Sequence, residues 1–209
     1  MDGARSTRRV VRAYVGLGAN VGPAAATLAR GVRAMAALPG VRLRGVSRLY
    51  ATEPWGVVDQ PGFRNAVVAL DVESGNDPAA GAGDLLVALK EIERALGRRR
   101  RDRWGPREID LDLLVFGRAS VSTARPPGGR SDDPAKADLP LTVPHPLIGE
   151  RLFVLEPLAD LAPGLVPPGW TETVRTARDR RRTIDGPTAA RALAAWSPDE
   201  GGWLPLADR

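Results

Sequence analysis

The chain has 209 residues, 43% of them hydrophobic and 26% charged, which suits one globular domain of about 100 to 200 residues with some surface decoration and excludes a disordered or fibrous chain. With no cysteine and one histidine, His145, disulfides, thiolate zinc sites and histidine-rich metal cages are excluded, so any metal must sit on oxygen. Thirty basic residues against 25 acidic ones give +5, a balance that fits a polyanionic partner, either a nucleic acid or a phosphorylated small molecule.

"RAYVGLGAN", residues 12–20, reads as a strand running into a glycine turn, and "PAAATLARGVRAMAAL", 23–38, as a helix with Pro23 in its first turn. "VRLRGVSRLYAT", 41–52, alternates like an edge or exposed strand. "EPWGVVDQPG" is turn-rich, and "FRNAVVALDV", 63–72, is the next strand. "DLLVALKEIERALG", 84–97, repeats leucine and isoleucine along one helical face, with Asp84 placed to cap its start and Gly97 to end it. A basic loop, "RRRRDRWGPR", leads into the strand "EIDLDLLVF". Strand, helix, strand, strand, helix, strand is the order of an α+β, ferredoxin-like βαββαβ sandwich, here with C-terminal additions.

The expected domain runs from 11 to 170. "RPPGGRSDDPAKAD", 125–138, has no periodicity and reads as a mobile loop insertion outside the motif core, and 171–209 is a basic and then alanine-rich tail whose order the composition leaves open. No stretch approaches the roughly eighteen apolar residues of a membrane helix, and no apolar signal core opens the chain, so the cytoplasm is the expected compartment.

"GLGANVG", 16–22, fails as a dinucleotide fingerprint. Its third glycine is one place late, and no acid lies between Asp2 and Glu53 to hold a ribose. Gly16 and Gly18 read instead as a tight turn that something can approach closely.

In "EIDLDLL" side chains alternate across the strand, so Asp110 and Asp112 share a face opposite Ile109, Leu111 and Leu113. Neighbouring carboxylates repel and need cations. A simple wet strand face has the same pattern, but six arginines (98, 99, 100, 101, 103 and 107) lie just upstream, and a metal seat beside an arginine loop suits a triphosphate bound through Mg²⁺. Trp104 in that loop can close over a ligand or merely anchor a surface. His145, between Pro144 and Pro146, is stiffly held and suits a donor to phosphate better than a metal ligand. Phe153 opens an apolar helix and would by default be core. Trp55, Phe63 and Asn65 bracket a turn beside a strand, where aromatic rings and an amide can stack on and hydrogen-bond a flat heterocycle.

"SRLYATEPWG", "DQPGFRNAVVAL", "RWGPREIDLDLLVFG" and "LTVPHPLIGERLFVLEPLADLAP", in that order over about residues 11 to 165, resemble the 6-hydroxymethyl-7,8-dihydropterin pyrophosphokinases of folate biosynthesis. The resemblance implies transfer of the β,γ-diphosphate of ATP to the pterin hydroxymethyl group, with release of AMP. By position, Asp110 and Asp112 would hold two Mg²⁺ ions and, with Arg98 and Arg107, form the catalytic set. Asn65 would read the pterin edge, Phe63 and Phe153 would stack on its faces, and the backbone around Thr52 and Trp55 would complete that pocket. Arg98, Arg100, Trp104, Arg107, His145 and Arg151 would handle ATP, with Glu93 and Thr142 lining its site. The run of four arginines leaves open which of Arg98, Arg99 and Arg100 meets phosphate. Loops near 20–23, 53–62 and 97–107 correspond to segments that close over substrate. The implied partners are ATP and the dihydropterin, with no nucleic acid and no membrane, and the implied state is a monomer.

Two other readings stand beside this one. A nucleic-acid-binding ferredoxin-like module fits the net charge but lacks the alternating aromatics of an RNA-binding sheet, and an acid pair would repel a phosphate backbone. A D-x-D nucleotide-sugar glycosyltransferase usually needs a longer chain.

Overall fold

A computed structural model describes residues 9–54, 59–99, 105–130 and 139–207. The expected unit is β1 (Arg9–Ala19), α1 (Ala24–Ala36), β2 (Val41–Val46), β3 (Leu49–Thr52), β4 (Phe63–Ser74), α2 (Pro78–Ala95) and β5 (Asp110–Phe116). Then follow β6 (Val121–Thr123), β7 (Leu141–Val143), α3 (Leu152–Leu161), α4 (Val174–Asp185), β8 (Ala190–Ser197) and β9 (Gly202–Pro205). The main sheet is antiparallel throughout, in the order β5-β1-β4-β3-β8-β9, with β2 also paired to β4. β6 and β7 form a separate hairpin.

Strand alternation buries both faces of this sheet. Ala13, Val15, Leu17, Ala66, Val68, Leu70 and Leu111 pack with Leu28, Val32 and Met35 of α1 and Leu85 and Leu89 of α2. The intervening residues Tyr14, Val67, Ala69, Leu114 and Val115 pack with Leu155 and Leu158 of α3 and Val174 and Ala177 of α4. Two helices on each side leave the ends of the strands as the place for a site.

The structure differs from the sequence reading in several places. The stretch 41–52 is two strands, because at the break Ser47 donates its N–H to the Val67 carbonyl at 2.9 Å while its Oγ accepts from the Val67 N–H at 2.9 Å. β3 is no edge, since β4 and β8 flank it. The second helix starts at Pro78, six residues before the expected Asp84, with Asp77 as its cap accepting from the Ala79 N–H at 2.8 Å. Gly81 and Gly83 disguise that first turn as loop, yet they are buried: a Cβ on Gly81 would lie 2.1 Å from Ser74 Oγ. Gly97 does end the helix, with φ +88°.

Gly16 and Gly18 lie within β1, not in a turn, opposite Asp112 and Asp110 of β5. The tail is folded: α4 is capped by Thr173 and packs on α3, and β8–β9 extends the sheet beyond β3. Trp196 and Trp203 meet edge-on, 4.8 Å apart, and Trp203 Nε1–H donates to the Ser47 carbonyl at 2.9 Å. Residues 127–129, inside the supposed insertion, form a 3₁₀ turn against α2, where Gly129 is buried and Arg94 donates to the Gly128 carbonyl at 2.8 Å.

Candidate active site

Register sets the site in a row across the sheet. Asp110 of β5 faces Gly18 of β1, Gly18 faces Asn65 of β4, and Asn65 faces Tyr50 of β3, with Thr52 opposite Phe63 two residues along. Two strand spacings, about 10 Å, therefore separate the acid pair from Asn65. The glycines between them contribute no side chains, so the floor between the two ends is open.

Above this row is a cavity of about 650 Å³, within the usual range for a small-molecule site. Its walls bring together Thr52, Phe63, Asn65 and Phe153 with Arg98, Arg107, Asp110 and Asp112, and with Thr142, His145 and Arg151. It continues around the edge strand β5 to Leu86 and Lys90 of α2 and Leu141 of β7. His145 is set beside β5 by its N–H, which donates to the Leu114 carbonyl at 2.8 Å, and its Nδ1 accepts from the Leu147 N–H at 3.2 Å. Phe153 is half-buried on the cavity wall, with the Arg151 guanidinium 5.6 Å from its ring centre, so it is not simply core. Trp55, Arg100 and Trp104 lie outside the described residues.

The two aspartates are held unequally. Asp110 pairs with Arg98 and, at 3.3 Å, with Arg107 Nη1. Asp112 makes no hydrogen bond or ion pair with a described residue. Arg98 is fixed from behind: its Nη1 lies 2.7 Å from Glu93 Oε1 and donates to the Ile109 carbonyl at 3.3 Å. Burial works against its charge, but Asp110 and Glu93 outweigh that and raise its pKa further. Of the two described residues of its run, Arg98 and Arg99, it is Arg98 that pairs with Asp110.

Glu93 does not line the cavity, contrary to expectation. It is buried beneath β5, where Oε1 also accepts from Lys90 Nζ at 2.7 Å and from the Leu111 N–H at 2.6 Å. Burial pushes its carboxyl above the usual range, against the pull of Lys90. Glu93 therefore supports the acid pair from below. Burial also lowers the Arg151 pKa, opposed by Asp112 and Asp110.

Two features escaped the sequence reading. Asn20, 5% exposed, joins three loops: its Oδ1 accepts from the Arg107 N–H at 2.7 Å, and its Nδ2 donates to Gln60 Oε1 at 3.0 Å and to the Pro61 carbonyl at 2.9 Å. These are the segments expected to close over substrate, and nothing in a lone asparagine after "GLGA" announces such a role. The other is Arg125, Leu139 and Pro140 in the cavity wall. Arg125 Nε–H donates to the Leu139 carbonyl at 2.9 Å and closes the base of the β6–β7 loop.

Oxygen donors on adjacent positions beside a cluster of arginines make a seat for a divalent cation bridged to phosphate, and a half-buried aromatic pair with a fixed amide makes a slot for a heterocycle. Known proteins join these halves. The family model for 7,8-dihydro-6-hydroxymethylpterin-pyrophosphokinase matches residues 14–163. The chain belongs to this family. The 2-amino-4-hydroxy-6-hydroxymethyldihydropteridine pyrophosphokinase of Methylorubrum extorquens is 45% identical over 168 residues, 80% of this chain and 92% of that protein. The like-named protein of Pseudomonas aeruginosa is 42% identical over 156 residues, 75% of this chain and 83% of that one. In fold, the chain resembles wild-type Plasmodium falciparum HPPK-DHPS solved with pteroate, with TM-score 0.69 and 14% identity, over 97% of this chain and 48% of that longer one. The chain is thus a ferredoxin-like pyrophosphokinase, and the tail is included in the structural match.

Proposed function

We propose that this pyrophosphokinase moves the β,γ-diphosphate of ATP onto the hydroxymethyl group of 6-hydroxymethyl-7,8-dihydropterin, releasing AMP, with Asp110, Asp112, Arg98 and Arg107 as its catalytic residues. One observation carries the assignment: phosphate-handling and heterocycle-handling groups line a single cavity about two strand spacings, roughly 10 Å, apart.

In this reading Asn65, Phe63 and Phe153 hold the pterin so that its hydroxymethyl oxygen points along the glycine floor toward the acids. That oxygen bonds to the β-phosphorus, the β-phosphorus to α-oxygen bond breaks, AMP leaves and the hydroxyl proton is released. Arg107 and Arg151 face the phosphates, and Arg98, paired with Asp110, keeps that carboxylate aimed. Thr142 and His145 line the nucleotide end. Phosphoryl transfer needs mostly alignment and charge neutralisation, and no side chain is assigned as base.

The donor set fits Mg²⁺. Among the described residues no group of three or more His, Cys, Asp or Glu is placed to hold a metal ion by itself, and Mg²⁺ is commonly held by one or two carboxylates plus substrate phosphates. Asp110 and Asp112 would hold two such ions, which supply neutralisation of the triphosphate's negative charge. In this reading the enzyme is a monomer whose partners are ATP and the dihydropterin, with no nucleic acid and no membrane in its task. The proposed compartment is the cytoplasm; separately, among the described residues no helix is long and apolar enough to cross a membrane.

AMP formation from ATP, magnesium and the dihydropterin tests the assignment. The reading expects one AMP per pterin diphosphate, and none when the pterin is omitted. AMP formed at the same rate without pterin would overturn it.

A further inference from the structure

We propose that Thr52 is a positioning residue for substrate recognition: its hydroxyl sets the Asn65 amide with nitrogen toward β3 and oxygen toward β1, and so selects a heterocycle offering an N–H donor to that oxygen. The proposal rests on reading the β3–β4 end of the cavity as the pterin pocket.

Asn65 is 5% exposed and lies on β4 between Gly18 of β1 and Tyr50 of β3. Its Nδ2 donates to Thr52 Oγ1 at 2.8 Å. On the opposite side, a Cβ added to Gly18 would lie 3.2 Å from Asn65 Oδ1. Each end of the amide thus has its own locator, a hydroxyl on one side and the bare backbone of a glycine on the other. All three residues line the cavity.

An amide is nearly symmetric in shape and opposite in polarity at its two ends, so a half-turn exchanges acceptor for donor with no change in volume. Thr52 is itself only 7% exposed, and little water can stand in for the hydroxyl. With Nδ2 committed to Thr52, Oδ1 keeps lone pairs for substrate. A site built to accept from a substrate N–H rejects an analogue without it far better than shape alone can. The hydroxyl acts only through Asn65, so its loss should be felt by the heterocycle and not by the nucleotide.

Steady-state kinetics on Thr52→Val and Thr52→Ser test this. Valine keeps the branched shape and removes the hydroxyl. The expected result is a KM for the pterin raised about tenfold, with kcat within about threefold and the KM for ATP unchanged, since a buried amide loses its partner. Serine, which keeps the hydroxyl, should recover pterin binding to within about twofold of wild type. A Thr52→Val enzyme with wild-type KM for the pterin, or a Thr52→Ser enzyme as impaired as the valine variant, would overturn the proposal. Should Thr52→Val fail to fold, Thr52→Ala measured against Thr52→Ser decides: a pterin KM raised in the alanine variant alone supports the proposal, and equal pterin KM values in the two end it. Failure of the wild-type enzyme to form AMP in response to pterin is a different result, which removes the underlying assignment as well.

Discussion

Asp110 and Asp112 stand two residues apart on one strand face, yet substitution should separate them. Asp110 neutralises Arg98 and Arg107, so Asp110→Ala leaves the enclosed guanidinium of Arg98 with Glu93 as its remaining ion-pair partner among the described residues and should lower stability as well as turnover. Asp112 has no ion-pair partner among the described residues, and its loss relieves repulsion from Asp110. Asp112→Ala should therefore cut turnover by about 10²-fold or more while its melting midpoint stays near wild type, as checked by coupled AMP release and thermal melts. If Asp112→Ala destabilised the fold more than Asp110→Ala, the division of labour would be wrong. This pair was legible because a strand's period of two is strict, so "DLD" fixes a common face wherever the strand lies. Glu93 was not: its place beneath β5 depends on the docking of α2, which no local pattern encodes.

At the scale of elements, the β6–β7 loop matters more than its composition suggests. Its Pro, Gly, Ser and Asp content reads as a dispensable insertion, but its first leg lies on α2 so closely that a Cβ on Gly128 would stand 3.0 Å from Val87 and one on Gly129 3.0 Å from Leu86. Glycine there serves close packing, not looseness, and composition alone cannot tell the two apart. The same holds for Gly81 in the hidden first turn of α2. Both legs reach the cavity through Arg125, Leu139 and Pro140. Deleting 126–137 should raise the KM for ATP by about tenfold, equivalent to about 1.4 kcal/mol, and lower the melting midpoint. A deletion variant with wild-type values for both would return the loop to the status of decoration.

For the whole molecule, the main gain from the structure concerns the C-terminal residues. The βαββαβ order could be read from periodicity and caps, because each element carries its own signal. The joining of β8–β9 to β3 could not, since it depends on which edge remains free after the rest has assembled. Trp203 fastens this hairpin to the β2–β3 break through Ser47 and packs against Trp196, while β8 covers the edge of the strand that carries Thr52. Trp203→Ala should lower stability by about 2–4 kcal/mol in denaturant titration, somewhat less than for a fully buried tryptophan. A change below about 0.5 kcal/mol, the level of an ordinary surface substitution, would show that the hairpin is only an appendage.

The central claim is that the acid pair holds metal-bound triphosphate within reach of a pterin alcohol, and the most direct measurement is a crystal structure with magnesium, a non-hydrolysable ATP analogue and the dihydropterin. The account predicts metal density against the carboxylates of Asp110 and Asp112, with phosphate oxygens completing the coordination and the heterocycle stacked between Phe63 and Phe153. Metal and nucleotide found elsewhere, with both carboxylates left uncoordinated, would contradict it.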